Sequence, residues 1–426
     1  MLSLRRHSLL LLLALGPLLP GTPLAATEPV SRELSLPSGE DIGFEVYGVG
    51  NPLRVLWIGP NFGLQPRHRQ VAAALGQRGL EVWQVDLPEA RFQPTNTHTL
   101  RRIPGEMVAD IIHALAERGR HPVLVISSIY GAIPALRGIH AWQGGDPEPG
   151  VLIGAIFFSP YFYTHVPALG EDPTFVPELY ATNVPVYIFQ AAKNGNRWQL
   201  PATLAVLQRH APVYTEILDG VTSLFYAGDT APETRALLPR IPDRIIRAAR
   251  ILQRHEAPLT ALPLPAPSSG PATPARLDSR LKPYRGRVQP RPFALRDAAG
   301  RPFRRDSFTG RITLVNFWAS WCPPCVEEIP SLNRLKQKMR GRPFELISIN
   351  YAESPAHIRD FMQKVAVDFP VLVDPDGRLT ARWQVVAFPS TFVIGPDGTI
   401  RYGVNAAIEW DTPEVIRQLE QLWVEE

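Results

Sequence analysis

The sequence predicts an α/β protein with two domains, and three observations lead to this fold class. The chain has 426 residues, more than one domain usually holds, and 45% of them are apolar, enough for two cores. Between residues 27 and 256, segments typical of strands alternate with segments typical of helices, as in a mostly parallel sheet with helices on both faces. A proline-rich segment at residues 257–291 then separates this domain from a second, shorter alternation at residues 292–426.

The first 26 residues are typical of a signal peptide for export. A basic start at residues 5–7 precedes an apolar run at residues 9–15 and a small-residue end at residues 25–26. The apolar run is shorter than a membrane span, which favours cleavage after export. Because the pattern before the cleavage site is imperfect, retention of residues 1–26 as a membrane anchor is the alternative.

The elements of the first domain are predicted from the spacing of its apolar residues. Two short segments around Ser38 and Gly39 indicate a β-hairpin, and the later strands are nearly continuous apolar runs, as expected for buried parallel strands. In the helices, apolar residues recur every three or four positions, as at Ile103, Met107 and Ile111. The strands are predicted at 33–36, 43–46, 54–58, 81–85, 122–127, 151–158, 185–189 and 213–218, and the helices at 67–78, 100–118, from 132, at 200–209 and at 234–255.

Residues 257–291 combine many prolines with Ser268, Ser269 and Gly270. Such a composition forms no core and favours an extended, semi-rigid chain. We therefore expect a linker that tethers the two domains without docking them tightly.

The second domain is predicted in the same way. An Asp397-Gly398 pair indicates a hairpin turn, and Thr412 followed by Pro413 is typical of a helix start. The strands are predicted at 293–295, 303–305, 312–317, 344–349, 371–373, 391–394 and 400–402, and the helices at 326–339, 357–365 and 412–423.

The only two cysteines of the chain, Cys322 and Cys325, lie between the strand at 312–317 and the helix that follows it. Two thiols at this spacing are within disulfide reach, but the loop they close is too small to constrain the unfolded chain much. A helix N-terminus favours a thiolate, so the spacing predicts a reversible redox couple. Cys322 would attack a partner disulfide and Cys325 would resolve the mixed disulfide, with Pro323 and Pro324 tuning the potential.

Metal, haem and nucleic-acid functions find little support in the sequence. Zinc needs four ligands and there is no second pair of cysteines, while His357 stands alone downstream. Attachment of a c-type haem needs a histidine at the position of Val326. The net charge of +4 is not concentrated in a basic run, so we expect no nucleic-acid partner. No cofactor or metal is predicted beyond the Cys322–Cys325 disulfide itself.

Three motifs of the second domain resemble the TlpA/ResA-like branch of the thioredoxin-fold family. They are Val-Asn-Phe-Trp-Ala-Ser-Trp-Cys-Pro-Pro-Cys at 315–325, Glu-Glu-Ile-Pro-Ser-Leu at 327–332 and Phe-Pro-Ser-Thr at 388–391. The resemblance covers roughly the last 130 residues. It implies a thioredoxin fold, a cis proline at Pro389 that faces the cysteines, and a substrate surface formed by Trp321, Pro323, Pro324, Phe388 and Ser390.

The same resemblance gives Glu328 two possible roles. In ResA-type members a glutamate at this position lies near the cysteine pair, and its carboxyl group could accept the proton of Cys325. The alternative is that Glu327 and Glu328 only interact favourably with the helix dipole, as acidic residues in a first turn do. Asn316, which replaces the buried aspartate of thioredoxin, cannot exchange protons.

The resemblance further implies a periplasmic thiol–disulfide oxidoreductase, acting as a reductase of exported proteins. Its substrates would be protein disulfides, either in apocytochrome c during cytochrome c biogenesis or in misoxidised proteins generally. A membrane-embedded thiol reductant donor would be needed to reduce the Cys322–Cys325 pair again.

The element order of the first domain resembles the α/β-hydrolase family without its catalytic triad. The family's sharp turn reads Gly-x-Ser-x-Gly, whereas residues 127–131 read Ser-Ser-Ile-Tyr-Gly and place Ile129 in the nucleophile position. The loops at 191–196 and 219–223 offer neither the expected acid nor the expected histidine. We therefore expect a catalytically inactive domain. The alternatives are a serine hydrolase that uses Ser128 and carries a redox domain, and a non-catalytic binding protein that uses the hydrolase-like cleft.

Overall fold

The computed structural model describes residues 28–117, 119–165, 167–226, 231–265 and 281–424. The predicted signal peptide at 1–26 and residues 266–280 of the predicted linker lie outside the described residues. Within the described ranges, no helix combines the length and the apolar character needed to cross a bilayer.

The first domain is built on one mixed sheet whose strand order is β1-β2-β4-β3-β5-β6-β7-β8. β1 and β2 form the predicted antiparallel hairpin, β2 joins β4 antiparallel, and the strands from β3 to β8 run parallel to one another. The strands are β1 (Val30–Ser35), β2 (Asp41–Tyr47), β3 (Leu53–Ile58), β4 (Leu80–Val85), β5 (Val123–Ser128), β6 (Leu152–Phe158), β7 (Val186–Ala191) and β8 (Val213–Leu218).

Helices cover both faces of this sheet, as predicted. They are α1 (Pro66–Gly76), α2 (Leu87–Ala90), α3 (Thr97–Leu100), α4 (Gly105–Ala116), α5 (Ala132–Gly144), α6 (Pro177–Tyr180), α7 (Leu200–Leu207), α8 (Pro232–Leu237) and α9 (Ile241–Leu252). Successive residues of β3 point to opposite faces: Leu56 packs in the layer that contains α4 and α5, and Trp57 packs in the layer that contains α1 and α9. The mostly parallel α/β architecture predicted for the first domain is confirmed.

The second domain has its own sheet, with the strand order β11-β10-β14-β13-β12-β15-β16-β9. The strands are β9 (Lys282–Pro283), β10 (Phe293–Asp297), β11 (Pro302–Arg305), β12 (Ile312–Trp318), β13 (Phe344–Tyr351), β14 (Val371–Asp374), β15 (Ser390–Ile394) and β16 (Ile400–Val404), and the helices are α10 (Pro323–Lys338), α11 (Pro355–Met362), α12 (Arg378–Arg382) and α13 (Pro413–Gln421). β12 is central, with β13 parallel on one side and β15 antiparallel on the other. This is the predicted thioredoxin-like arrangement.

Proline residues move several helix boundaries away from the predicted positions. The helix predicted at 100–118 begins only at Gly105, after Pro104, because the residue before a proline disfavours helical geometry. The helix predicted at 234–255 is divided into α8 and α9 at a 3-10 turn that contains Pro239. In contrast, α10 starts three residues earlier than predicted, because Pro323 and Pro324 fit the first turn of a helix.

The predicted linker is attached to both domains over its described residues. Near its start, Asn183 Nδ2 donates to the carbonyl of Thr260 at 3.0 Å, and a ring nitrogen of His140 lies 2.8 Å from the carbonyl oxygen of Leu262. Near its end, β9 pairs with β16 of the second sheet. The expectation of tethering without docking is therefore wrong for the described parts of residues 257–291, and the two domains also contact each other directly.

Gly131 is required where β5 turns into α5, because a Cβ at this position would lie 2.5 Å from the carbonyl oxygen of Gly59. We expect Gly131→Ala to destabilise the first domain by about 1–3 kcal/mol through overpacking. Denaturant unfolding measures the loss. Gly144→Ala is the matched control, since a Cβ on Gly144 meets no atom within 4 Å. Equal stability of the two variants would contradict the close packing of this turn.

Candidate active site at the cysteine pair

Cys322 lies at the point where the central strand passes into a helix. β12 is buried along its whole length and ends at Trp318, and Cys322 is the N-cap residue of α10. The thiol groups of Cys322 and Cys325 form a disulfide, with 5.3 Å between their Cα atoms. Cys322 is 6% exposed and Cys325 only 1%, so Cys322 is the sulfur that a partner reaches first. The predicted placement of the pair at a helix N-terminus is observed.

The start of α10 offers no free amide hydrogen to a thiolate at Cys322. Pro323 and Pro324 carry none, and the backbone N–H groups of Cys325 and Val326 both donate to the carbonyl oxygen of Cys322, at 3.0 and 3.2 Å. A helix start usually leaves several N–H groups unpaired, and these are the groups that stabilise anions directly. A thiolate at Cys322 therefore depends on the helix dipole rather than on backbone hydrogen bonds.

Glu328 lies one helical turn after Cys325, on the same side of α10, and is 2% exposed. Its two carboxyl oxygens accept hydrogen bonds from Asn316 Nδ2 at 2.8 Å and from Trp410 Nε1 at 3.0 Å. Burial raises the pKa of Glu328 to about 7, although these two hydrogen bonds act in the opposite direction. Glu328 is thus a buried carboxyl group with a pKa near neutral pH. The alternative, in which Glu328 only interacts with the helix dipole in the first turn, does not fit its burial.

A polar network holds the segment that leads into Cys322. Glu353 accepts hydrogen bonds from the backbone N–H of Ser320 at 2.7 Å and from Asn350 Nδ2 at 2.6 Å. His357 Nε2 lies 3.3 Å from the same carboxyl group, and the hydrogen bond that His357 donates to Glu353 raises the pKa of His357. Sequence reasoning missed this role of Glu353. Its signal was an acidic residue just beyond the strand next to β12, because parallel neighbouring strands end at the same edge.

The predicted substrate surface is only partly observed. The Phe388–Pro389 peptide bond is cis, as expected, and Phe388 stacks on Tyr351 with ring centroids 4.8 Å apart. Trp321 and Phe388 are partly buried, and Pro323 and Pro324 are exposed.

Ser390 does not belong to that surface. Its side chain is fully buried, and its hydroxyl group donates to the carbonyl of Ala387 at 2.7 Å and lies 2.8 Å from Asn405 Oδ1. Its assignment to substrate binding is therefore wrong for the side chain, which holds the loop around Pro389 instead.

The turn between β5 and α5, which corresponds in sequence to a nucleophile elbow, has an isoleucine at its centre. Ile129 occupies the central position with φ +53°, a left-handed conformation that a β-branched residue rarely adopts. The neighbouring hydroxyl groups of Ser127 and Ser128 are buried and have no hydrogen-bond partner among the described residues. The cavity that Ser128 lines has a volume of about 10 Å³, roughly the space of one water molecule.

The loops predicted to have lost the acid and the histidine serve structural roles. Asn194 accepts a hydrogen bond from the hydroxyl group of Tyr161 at 3.1 Å, and Asn196 Nδ2 donates to the carbonyl of Pro160 at 2.6 Å. Nearby, His68 is fully buried and stacks on Phe225, and burial lowers the pKa of His68 to about 3. A neutral histidine in an aromatic cluster is a packing residue at this position.

Within the described part of the chain, no group of three or more His, Cys, Asp or Glu side chains is arranged to hold a metal ion.

Fold and site together define the class of the second domain, a thioredoxin-fold domain with a cysteine pair of the redox type. Residues 287–403 match the model of the AhpC/TSA family. The second domain is an AhpC/TSA-type thioredoxin-fold domain, and this match does not extend to the first domain.

Two curated relatives show the kind of protein to which this domain is similar. The thiol-disulfide oxidoreductase ResA of Bacillus subtilis is 31% identical over 108 residues, which are 25% of this chain and 60% of that protein. The ResA protein of Geobacillus thermodenitrificans is 28% identical over 126 residues, which are 30% of this chain and 71% of that protein. The chain thus spans less than two thirds of the first of these relatives. The predicted resemblance to the ResA-like branch is confirmed for the second domain.

Solved structures are similar over a comparable part of the chain. StoA from Bacillus subtilis is 22% identical with a TM-score of 0.27, covering 32% of this chain and 98% of that one. A thiol:disulfide interchange protein of the thioredoxin family from Chlorobium tepidum is 24% identical with a TM-score of 0.28, covering 32% of this chain and 99% of that one.

The raised pKa of Glu328 predicts a pH-dependent stability that Glu328→Gln should remove. The folded protein keeps the proton of Glu328 up to pH about 7, whereas the unfolded chain loses it near the ordinary value of 4.5. Stability should therefore fall as pH rises through this window, by about 3 kcal/mol relative to the Gln variant. Denaturant unfolding of both proteins at pH about 4.5 and about 7.5 measures the difference. Two parallel pH profiles would contradict a protonated, buried Glu328.

The small cavity and the buried serines predict that the first domain does not react with serine-hydrolase probes. We expect no adduct on Ser127 or Ser128 after treatment of the full chain with a fluorophosphonate, because both side chains are buried and neither hydroxyl group bonds a base among the described residues. Peptide mass mapping measures labelling, with a known serine esterase as the positive control. An adduct on either serine would restore the hydrolase alternative.

Proposed function

We propose that this protein is an exported thiol–disulfide oxidoreductase that reduces disulfides in other proteins through Cys322 and Cys325. The observation that carries the proposal is the placement of the only two cysteines as a disulfide at the N-terminus of α10, at the end of the central strand of a thioredoxin-fold domain. Relatives of that domain are named thiol-disulfide oxidoreductases. The first domain has no catalytic role in this proposal.

In the reduced protein, the thiolate of Cys322 attacks one sulfur of a partner disulfide. The partner's other sulfur leaves as a thiolate and takes up a proton from water. Glu328 accepts the proton of Cys325, whose thiolate then attacks the sulfur of Cys322. The partner's second sulfur leaves as a thiolate and takes up a proton from water, to which Glu328 returns the proton of Cys325. The dithiol of the chain loses two electrons and two protons, and the partner disulfide gains both.

The start of α10 favours the reducing direction. A pair becomes a strong oxidant when its reduced form is stabilised, and unpaired amide groups at a helix start are one source of that stabilisation. Here Pro323 and Pro324 remove two such groups, and the amides of Cys325 and Val326 are already bonded to Cys322. The thiolate gains little from hydrogen bonding, so the couple gives up electrons more readily.

The proposed location is the periplasm, with residues 1–26 acting as the export signal or, if uncleaved, as a membrane anchor. Plausible substrates are apocytochrome c and other exported proteins with misoxidised thiols. Each turnover leaves the chain as the Cys322–Cys325 disulfide, so a membrane-embedded thiol donor has to return two electrons to it.

Neither alternative function receives comparable support. A serine hydrolase needs a nucleophile, a base and room for substrate, whereas the elbow carries Ile129 and a cavity of about 10 Å³. A binding protein that uses the hydrolase-like cleft would need open space at the same place, which the aromatic cluster around His68 and Phe225 fills.

Replacement of the resolving cysteine tests the proposal. With Cys325→Ser, the mixed disulfide between Cys322 and a partner cannot be resolved, so we expect covalent complexes with exported proteins on non-reducing gels. These complexes should disappear after treatment with a reductant. The double variant Cys322→Ser/Cys325→Ser is the matched control and should trap nothing. Failure of Cys325→Ser to capture any protein would count directly against disulfide reduction as the function.

A further inference from the structure

The functional edges of the two domains face each other. In parallel sheets, ligands bind beyond the carboxyl ends of the strands, and in the first domain the loops after β6, β7 and β8 occupy that edge. Each of these three loops contacts the second domain, and the loops after β7 and β8 contact Phe388 and Trp321. This arrangement bears on which partners reach Cys322.

The loop after β7 lies against the segment that leads to Pro389. A Cβ placed on Gly195 would be 3.2 Å from the carbonyl oxygen of Val386 and 3.5 Å from the ring of Phe388. The backbone at Gly195 is thus in van der Waals contact with residues that a bound partner chain would otherwise cover. A strand-like pairing of a partner with this segment has the first domain as its immediate neighbour.

The loop after β8 approaches Cys322 from another side. The ring of Tyr226 lies 6.5 Å from the ring of Trp321, the residue directly before Cys322, in an edge-on arrangement. Tyr226 is also in contact with Phe62, with ring centroids 5.4 Å apart, which ties it to the body of the first domain. Gly195 and Tyr226 therefore lie against Phe388 and Trp321, whose rings contact each other with centroids 6.0 Å apart, and Trp321 directly precedes Cys322.

Hydrogen bonds and apolar packing fix the loops of the first domain that contact the second domain. The turn at Gly195 is fixed by the buried side chains of Asn194 and Asn196, whose hydrogen bonds reach Tyr161 and Pro160. The loop after β6 adds a direct link, because Asn405 Nδ2 donates to the carbonyl of Pro167 at 3.0 Å. Leu169 of the same loop is buried in an apolar cluster of the second domain.

We propose that the first domain is a size filter for the redox site, in which the turn at Gly195 and the ring of Tyr226 admit an extended, unfolded cysteine segment to Cys322 and exclude folded proteins. The proposal rests on the disulfide chemistry proposed above. The low exposure of Cys322 fits it, since a single extended chain reaches a nearly buried sulfur more easily than a globular surface does. The proposal gives the first domain a function that needs no hydrolase chemistry.

The test compares one reaction on two carriers. A short unstructured peptide and a small folded protein, each with one cysteine joined to thionitrobenzoate as a mixed disulfide, are offered to the full chain in the Cys325→Ser background. The thiolate of Cys322 attacks the carrier's sulfur, the old disulfide bond breaks, and thionitrobenzoate leaves as a coloured thiolate. The ratio of the peptide rate to the protein rate measures the filter.

We expect the full chain to react faster with the peptide, and Gly195→Trp to lower the rate ratio about tenfold by forcing the two domains apart. Tyr226→Ala removes one flanking ring without adding bulk, so it tests the same filter if Gly195→Trp folds poorly. Gly144→Trp is the matched control, because a Cβ on Gly144 meets no atom within 4 Å. Its ratio should equal that of the starting chain.

A rate ratio that stays the same in the starting chain, Gly195→Trp and Tyr226→Ala would overturn the filter. So would a starting chain that reacts equally fast with both carriers. If the ratios change as expected but the Cys325→Ser chain traps no exported protein, the filter stands and the proposed function fails. The two proposals are therefore separable.

Discussion

The organisation of the redox site depends on the burial of β12 between β13 and β15. All seven residues of this strand are buried, so its register cannot slip without exposing apolar side chains. The strand leads directly to Cys322 at the start of α10. It also carries Asn316, whose side-chain amide donates hydrogen bonds to Glu328 and to Thr391. The start of α10, the carboxyl group of Glu328 and the strand that follows Pro389 are thus all positioned by β12.

The contact between the two domains gives a common reason for several features that look unrelated in the sequence. The loop that would carry a hydrolase acid holds two buried asparagines, Asn194 and Asn196, which stiffen a turn instead of activating a base. Buried polar side chains persist when their hydrogen bonds are satisfied, and these fix a unique loop conformation. In this chain the loops at the carboxyl edge of the first sheet have become a contact surface for the neighbouring domain.

The sequence was sufficient for the features that depend on local patterns. Apolar runs and their spacing located the main strands, and the Cys322–Cys325 pair with its preceding strand located the site and its domain. Features that depend on tertiary contacts were not predictable. Ser390 belongs to a motif but its side chain is buried, and Gly195 matters only because Phe388 lies against it. The predicted helix ends were wrong where a proline started or ended a helix at a position that the apolar periodicity did not indicate.

The left-handed conformation of Ile129 has a consequence for how this domain could be altered. A backbone of this kind costs about 1–3 kcal/mol and persists only where its surroundings impose it. Two residues further on, Gly131 lies so close to Gly59 that a Cβ on Gly131 would be 2.5 Å from the carbonyl oxygen of Gly59. A serine substituted for Ile129 would thus enter a left-handed backbone that the surrounding turn already holds in place.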